Sequence, residues 1–249
     1  MSGHNKWASI KHKKAATDSK RGKIFTKIIR EMVVAAKEGG GVIENNARLR
    51  KAVADAREAN MPQDNIKKAI QRGTGEIPGV IYEEMTYEGY GPAGVALIVE
   101  TTTDNKNRTA SDIRKIFSKH SGSMGETGCV GWMFSRKGFI SIDKTVSDED
   151  TVMTLALESG ADDFIAEEDS YEIYTKVEDF ESVKNALSAK NIQIAESEIS
   201  MIPQTYVKIQ GDDAEHMLKL IDELEEHDDV KNVFSNFDIS KEDMEKFGA

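Results

Sequence analysis

Between Gly138 and Ile199 the residue pattern reads strand (139–143), helix (148–158), strand (163–166), strand (171–177), helix (180–189), strand (193–199). A β-α-β-β-α-β order complete within about 60 residues is that of a ferredoxin-like unit, which closes its own sheet and needs no strand from elsewhere. The flanks are different. Residues 80–89 and 95–103 read as strands around a Tyr90-Gly91-Pro92-Ala93-Gly94 turn, followed by a helix over 106–119 and a strand over 129–134. Residues 206–209, 212–227 and 230–237 read as strand, helix, strand with no partner of their own. The simplest home for that last set is the unfinished sheet of 80–134, which makes the ferredoxin-like unit an insertion.

Ahead of these lies a purely helical segment. Ile24, Phe25, Ile28, Ile29, Met32, Val33 and Ala36 recur on one helix face, while Lys20, Lys23, Lys27, Arg30 and Lys37 fall on the opposite arc at ~100° per residue. Gly39, Gly40 and Gly41 end this helix. A second helix over about 46–59 buries Leu49, Ala52, Val53 and Ala56, and a third, entered at Pro62, carries Ile66, Ala69 and Ile70 up to Gly73. The expected fold is α+β: an N-terminal three-helix domain (1–78), a discontinuous α/β-sandwich domain (79–135 plus 203–240) and an acidic ferredoxin-like sandwich domain (136–202).

Charge follows the same division. Residues 1–75 hold 17 Lys and Arg against 7 Asp and Glu, residues 76–144 hold 8 against 9, and residues 145–249 hold 8 against 28. One end is therefore suited to an anionic polymer and the other repels it. Candidate phosphate-contacting residues are Lys6, Lys11, His12, Lys13 and Lys14 in the N-terminal arm and Lys20, Arg21, Lys23, Lys27 and Arg30 on the first helix. Asn105, Lys106 and Arg108 join them at the start of the 106–119 helix, within the polar run 101–109. Trp7 in the arm serves better as an anchor than as a stacking platform.

Other chemistry finds little footing. His4 and His12 lack companion ligands, and no Cys/His spacing resembles a structural zinc site, so no metal and no cofactor is expected. The glycine-rich 122–128 lacks the Lys-Ser/Thr ending of a phosphate-binding loop and reads as a turn. No nucleophile motif is present, and Cys129 sits in an apolar pattern. The adjacent acidic pairs Glu83-Glu84, Glu167-Glu168 and Asp228-Asp229 read as solvated surface. The expectation is a non-enzymatic protein. A single cysteine, no apolar run of membrane-spanning length and no signal-like stretch in 1–14 fit a cytoplasmic protein without a membrane partner.

The motifs Gly3-His4-Asn5-Lys6-Trp7, Ile10-Lys11-His12-Lys13-Lys14, Arg21-Gly22-Lys23-Ile24-Phe25, Asn60-Met61-Pro62, Tyr87-Glu88-Gly89-Tyr90-Gly91-Pro92 and 103–109 resemble the YebC/PmpR family. The resemblance runs through most of the chain and is densest up to Gly138. Ser121-Gly122 stands where a Gly-Gly pair is expected, and Cys129 where Ser is usual. It implies three domains and a bacterial cytoplasmic DNA-binding transcriptional regulator, with relatives that resemble translation factors. It supplies no catalytic residues. The expected function is a nucleic-acid-binding regulator of gene expression; the alternatives are a ribosome-associated translation factor that binds ribosomal RNA, and an acidic interaction scaffold.

Overall fold

The structure is a computed structural model that describes residues 18–247. Three helices come first: α1 (Asp18–Gly39), α2 (Ala47–Glu58) and α3 (Gln63–Thr74). α1 stops where Gly40 takes a φ of +82°, a left-handed geometry that costs a glycine no Cβ clash. Asn46 caps α2 by accepting from Leu49 N–H, and its amide donates to Ala35 O and Gly40 O, which ties the α1 end to the α2 start. Pro62 lies one position before the first turn of α3, and α3 runs one residue past the expected Gly73. At that glycine the helices approach so closely that a Cβ would fall 2.5 Å from Val33 O and 2.6 Å from Ala36 Cβ. Met32, Val33, Leu49, Val53, Ile66 and Ala69 form this layer's core.

The chain then enters a sheet: β1 (Glu83–Tyr90), β2 (Ala96–Thr103), α4 (Lys106–Lys119) and the short β3 (Ser123–Met124). Next comes β4 (Phe134–Asp143), followed by α5 (Glu149–Glu158), β5 (Ala161–Ala166), β6 (Ser170–Thr175), α6 (Phe180–Ala189) and β7 (Glu196–Pro203). The last elements are β8 (Val207–Lys208), α7 (Gly211–Glu226), β9 (Val230–Ser235), β10 (Phe237–Asp238) and α8 (Lys241–Phe247). The fold is α+β, with a helical N-terminal region and two antiparallel sheets.

Two compact units result. Residues 132–206 form one, and the described residues on either side of them form the other. In the first, the strand order β5-β6-β4-β7 is that of a ferredoxin-like sheet. Its helices cover the face bearing Ile140, Ile142 and Ile173, packed on Val152, Ala156, Val183 and Leu187. On the other face Ser141 lies opposite both Glu172 and Glu196, and Phe139 opposite both Tyr174 and Glu198. In the second unit the order β3-β1-β2-β9 shows β9 arriving from beyond the insertion to pair antiparallel with β2. α4 and α7 back this sheet through Ile113, Phe117, Met217, Leu220 and Ile221.

Three element expectations change. Residues 129–133 are not a strand, because the N–H groups of Gly128, Val130 and Gly131 donate to the Glu88 carboxylate at 2.7–2.8 Å and no neighbouring strand takes them. The first strand of the inserted unit accordingly runs without a break from Phe134 to Asp143. Only β9 completes the large sheet; Val207–Lys208 pairs in parallel with Phe237–Asp238 instead. No helix among the described residues is long and apolar enough to cross a membrane.

Candidate nucleic-acid interface

Three cations of α1 reach the neighbouring elements: Lys27 and Arg30 are half-buried there, while Lys23, like Lys37, stays exposed. Lys27 Nζ donates to Glu225 O at 2.6 Å and Lys23 Nζ to Glu226 O at 3.2 Å. These are terminal carbonyls of α7, which have no intrahelical N–H, and the last turn of α7 holds no basic residue of its own. Lysines from α1 serve instead. One helical turn further on, Arg30 donates to Asp228 O and to Asp229 Oδ1, both at 2.6 Å, and to Thr102 O at 3.3 Å.

Asp229 is the centre of this junction and is only 3% exposed. Its Oδ2 accepts from the Thr109 hydroxyl at 2.6 Å, and from Thr103 and Arg108 at 3.1 Å each. Burial alone would raise its carboxyl, but hydrogen bonds from Thr109, Arg108 and Arg30 outweigh it and hold the group down to about 2. A register shift between Glu100 and Thr101, where β2 meets β9, brings Asp229 alongside Thr102. The reading of Asp228-Asp229 as solvated surface is thus wrong for Asp229, because four donors from three elements converge on one carboxylate.

The 101–109 run is taken up in the same way. Asn105 caps α4 by accepting from Arg108 N–H, and its own N–H donates to the Thr103 hydroxyl. Arg108 pairs with Asp104 at 2.6 Å, and Lys106 pairs with Glu83. A cleft of about 460 Å³ opens here, lined by Lys23, Arg30, Arg108 and His227 but also by Asp104, Glu226, Asp228 and Asp229. Four carboxylates against three permanent cations give no net pull on a phosphate. Of the other candidates, Lys6, Lys11, His12, Lys13 and Lys14 lie outside the described residues. Lys20 and Arg21 belong to the α1 backbone, with side chains likewise outside the description.

A second junction joins the helices to the sheet. Arg48 pairs with Glu31 and Glu38 at 2.7 Å each and with Glu84 at 2.6 Å, while Lys231 reaches Glu31 at 2.9 Å. Hydrogen bonding to Glu31 leads the causes that raise Arg48 above its ordinary range. Glu31 and Glu84 are both lowered, since their cationic partners outweigh the burial that would raise them. The Glu84 carboxylate is therefore no more a free surface charge than Asp229 is.

What remains open is the outer side of α2 and α3. Arg57, Lys67, Lys68 and Arg72 are exposed, and none has a carboxylate within ion-pair distance among the described residues. Among the described residues no group of three His, Cys, Asp or Glu side chains is placed to hold a metal ion. The half-buried Cys129 thiol is pushed up by burial and by the Glu88 charge, which disfavours the thiolate.

Comparison with known proteins gives a consistent result. Residues 5–76 match the family model described as the TACO1/YebC protein N-terminal domain, and residues 82–237 match that of the TACO1/YebC second and third domain. A probable transcriptional regulatory protein of Endomicrobium trichonymphae is 69% identical, covering 100% of both chains. One of Pelotomaculum thermopropionicum is 58% identical over 96% of this chain and 99% of its own. Among solved structures, a conserved hypothetical protein of Aquifex aeolicus is similar with a TM-score of 0.78 and 43% identity, over 90% of this chain and 93% of that one.

Proposed function

The chain belongs to the TACO1/YebC family, and we propose that it is a DNA-binding regulator of gene expression whose basic helical domain contacts the phosphate backbone. Charge segregation carries this reading: 17 Lys and Arg against 7 Asp and Glu in residues 1–75, and 8 against 28 in residues 145–249. A folded body with that excess attracts any polyanion at a distance, and the acidic remainder limits how broadly it adheres. The names of its relatives, probable transcriptional regulatory proteins, favour DNA as the polymer.

The test is affinity of the full chain for random-sequence duplex DNA and for a ribosomal RNA fragment across a salt series. Log affinity should fall linearly with log salt, with a slope of about −0.9 for each phosphate neutralised on duplex DNA. Tighter binding to the RNA would move the function to the ribosome. Salt-independent or undetectable binding to both would overturn the proposal.

A further inference from the structure

We infer that the phosphate contacts of the helical domain are made by the exposed cations Arg57 on α2 and Lys67, Lys68 and Arg72 on α3, and not by Lys23, Lys27 and Arg30 of α1. The inference rests on the nucleic-acid reading above and says which face does the work. Lys23, Lys27 and Arg30 are committed to the α7 terminus and Asp229, and Arg48 to Glu31, Glu38 and Glu84. A phosphate arriving at Lys27, Arg30 or Arg48 would compete with carbonyls and carboxylates already bonded at 2.6–2.7 Å, whereas Lys23 is exposed and holds a single carbonyl at 3.2 Å.

Helix geometry separates the committed flank from the open one. On α2, Leu49, Ala52, Val53 and Ala56 point into the core. At ~100° per residue Arg48 and Arg57 then lie on opposite flanks, roughly 180° apart. Arg48 faces Glu84 of the sheet, so Arg57 faces away from it. On α3, Ile66 and Ala69 point inward and Gly73 abuts α1, which leaves Lys67, Lys68 and Arg72 on the outward half. Lys68 and Arg72 are one turn apart, with Cβ atoms about 5–6 Å from each other on the same side. Asp64, also exposed on α3, makes no ion pair with Lys67 or Lys68. The partner these cations fit is the phosphodiester backbone of duplex DNA: a run of like charges at short repeat, met by long, flexible cations that hold no carboxylate among the described residues.

Two charge-neutralised variants of the full chain test this. The outer variant carries Arg57→Gln, Lys67→Gln, Lys68→Gln and Arg72→Gln; the stripe variant carries Lys23→Gln and Lys27→Gln. Circular dichroism and thermal melting come first, because Gln is a good helix former and the outer positions are exposed. The outer variant should melt close to the parent, lose about 0.9 of salt slope per contact removed, and bind roughly tenfold or more weakly at low salt. The stripe variant should keep the parent's slope and melt lower. A folded outer variant that binds both duplex DNA and ribosomal RNA as the parent does, or a stripe variant that alone loses slope, overturns the inference. If the outer variant melts much lower, the single changes Lys67→Gln and Lys68→Gln are read instead, each with the same criterion. Loss confined to ribosomal RNA keeps the surface and changes the polymer, whereas a parent with no affinity for either removes the function and this surface together.

Discussion

Arg30 on the first helix donates to Asp229 at the entrance of β9 at 2.6 Å, across 199 residues of sequence. With Asp229 buried, the pair sits where removing one partner strands the other without water. Such losses run at about 3–5 kcal/mol in well-buried pairs. Arg30 is partly exposed and would keep its bonds to Asp228 O and Thr102 O if Asp229 were lost, which brings the figure down to about 2–3 kcal/mol.

Asp229→Asn should therefore destabilise the protein by about 2–3 kcal/mol at pH 7, measured by denaturant unfolding. The pH dependence gives an independent check. The folded carboxyl titrates at about 2, below its ordinary 3.8, so its contribution is present above about pH 4 and is lost as pH falls toward 2. The variant's stability should change less over that window than the parent's.

Glu196 in the inserted unit has the opposite sign. Burial first, then the charges of Glu198 and Glu172, push its carboxyl up to about 7 from 4.5. A raised carboxyl binds its proton more tightly in the folded state, so stability falls as pH rises from about 4.5 through 7. Glu196→Gln should stabilise by about 1–3 kcal/mol at pH 8 and by little at pH 4. Equal effects at both pH values would show that the carboxyl is not raised.

Gly73→Ala tests the close approach of α3 to α1. In an exposed helix this change stabilises by about 1 kcal/mol, but here the new methyl meets Val33 O and Ala36 Cβ at 2.5–2.6 Å. The helices must separate, and a net loss of about 1–3 kcal/mol is expected in thermal melts. A gain would mean that the pair yields freely.

Glu88→Gln bears on the loop that follows β3. The Glu88 carboxylate accepts from three backbone N–H groups, which outweigh burial and lower it. A glutamine offers one carbonyl oxygen, so at least one of the donors is left unpaired. Amide hydrogen exchange at Gly128, Val130 and Gly131 should accelerate, with a stability loss of about 1–2 kcal/mol.

The elements were legible where period and punctuation agreed. The apolar face from Phe25 to Ala36, the Asn46 cap and the 139–199 strand-helix order each carry a local signal that packing then reinforces. The misread stretch at 129–133 shows the limit: Cys-Val-Gly-Trp-Met looks like a buried strand, yet the Val130 and Gly131 N–H groups go to a side chain 42 and 43 residues away. The partners of the α1 cations were illegible for the same reason. A lysine on a polar helix arc looks alike whether it meets phosphate or the end of another helix, and no local pattern marks Asp229 as the group that Arg30 seeks.

The placement of the insertion also sets an order of events during synthesis. α1 is made early, while Asp228 and Asp229 emerge only after the whole inserted unit, so at ~5–20 residues per second Arg30 waits about 10–40 s for its partner. For that interval the helical layer has only its own core to hold it, and the cations of α1 stand as open as those of α2 and α3. A newly made chain thus presents a broader basic surface than the finished protein, and closing the sheet with β9 is the step that narrows it.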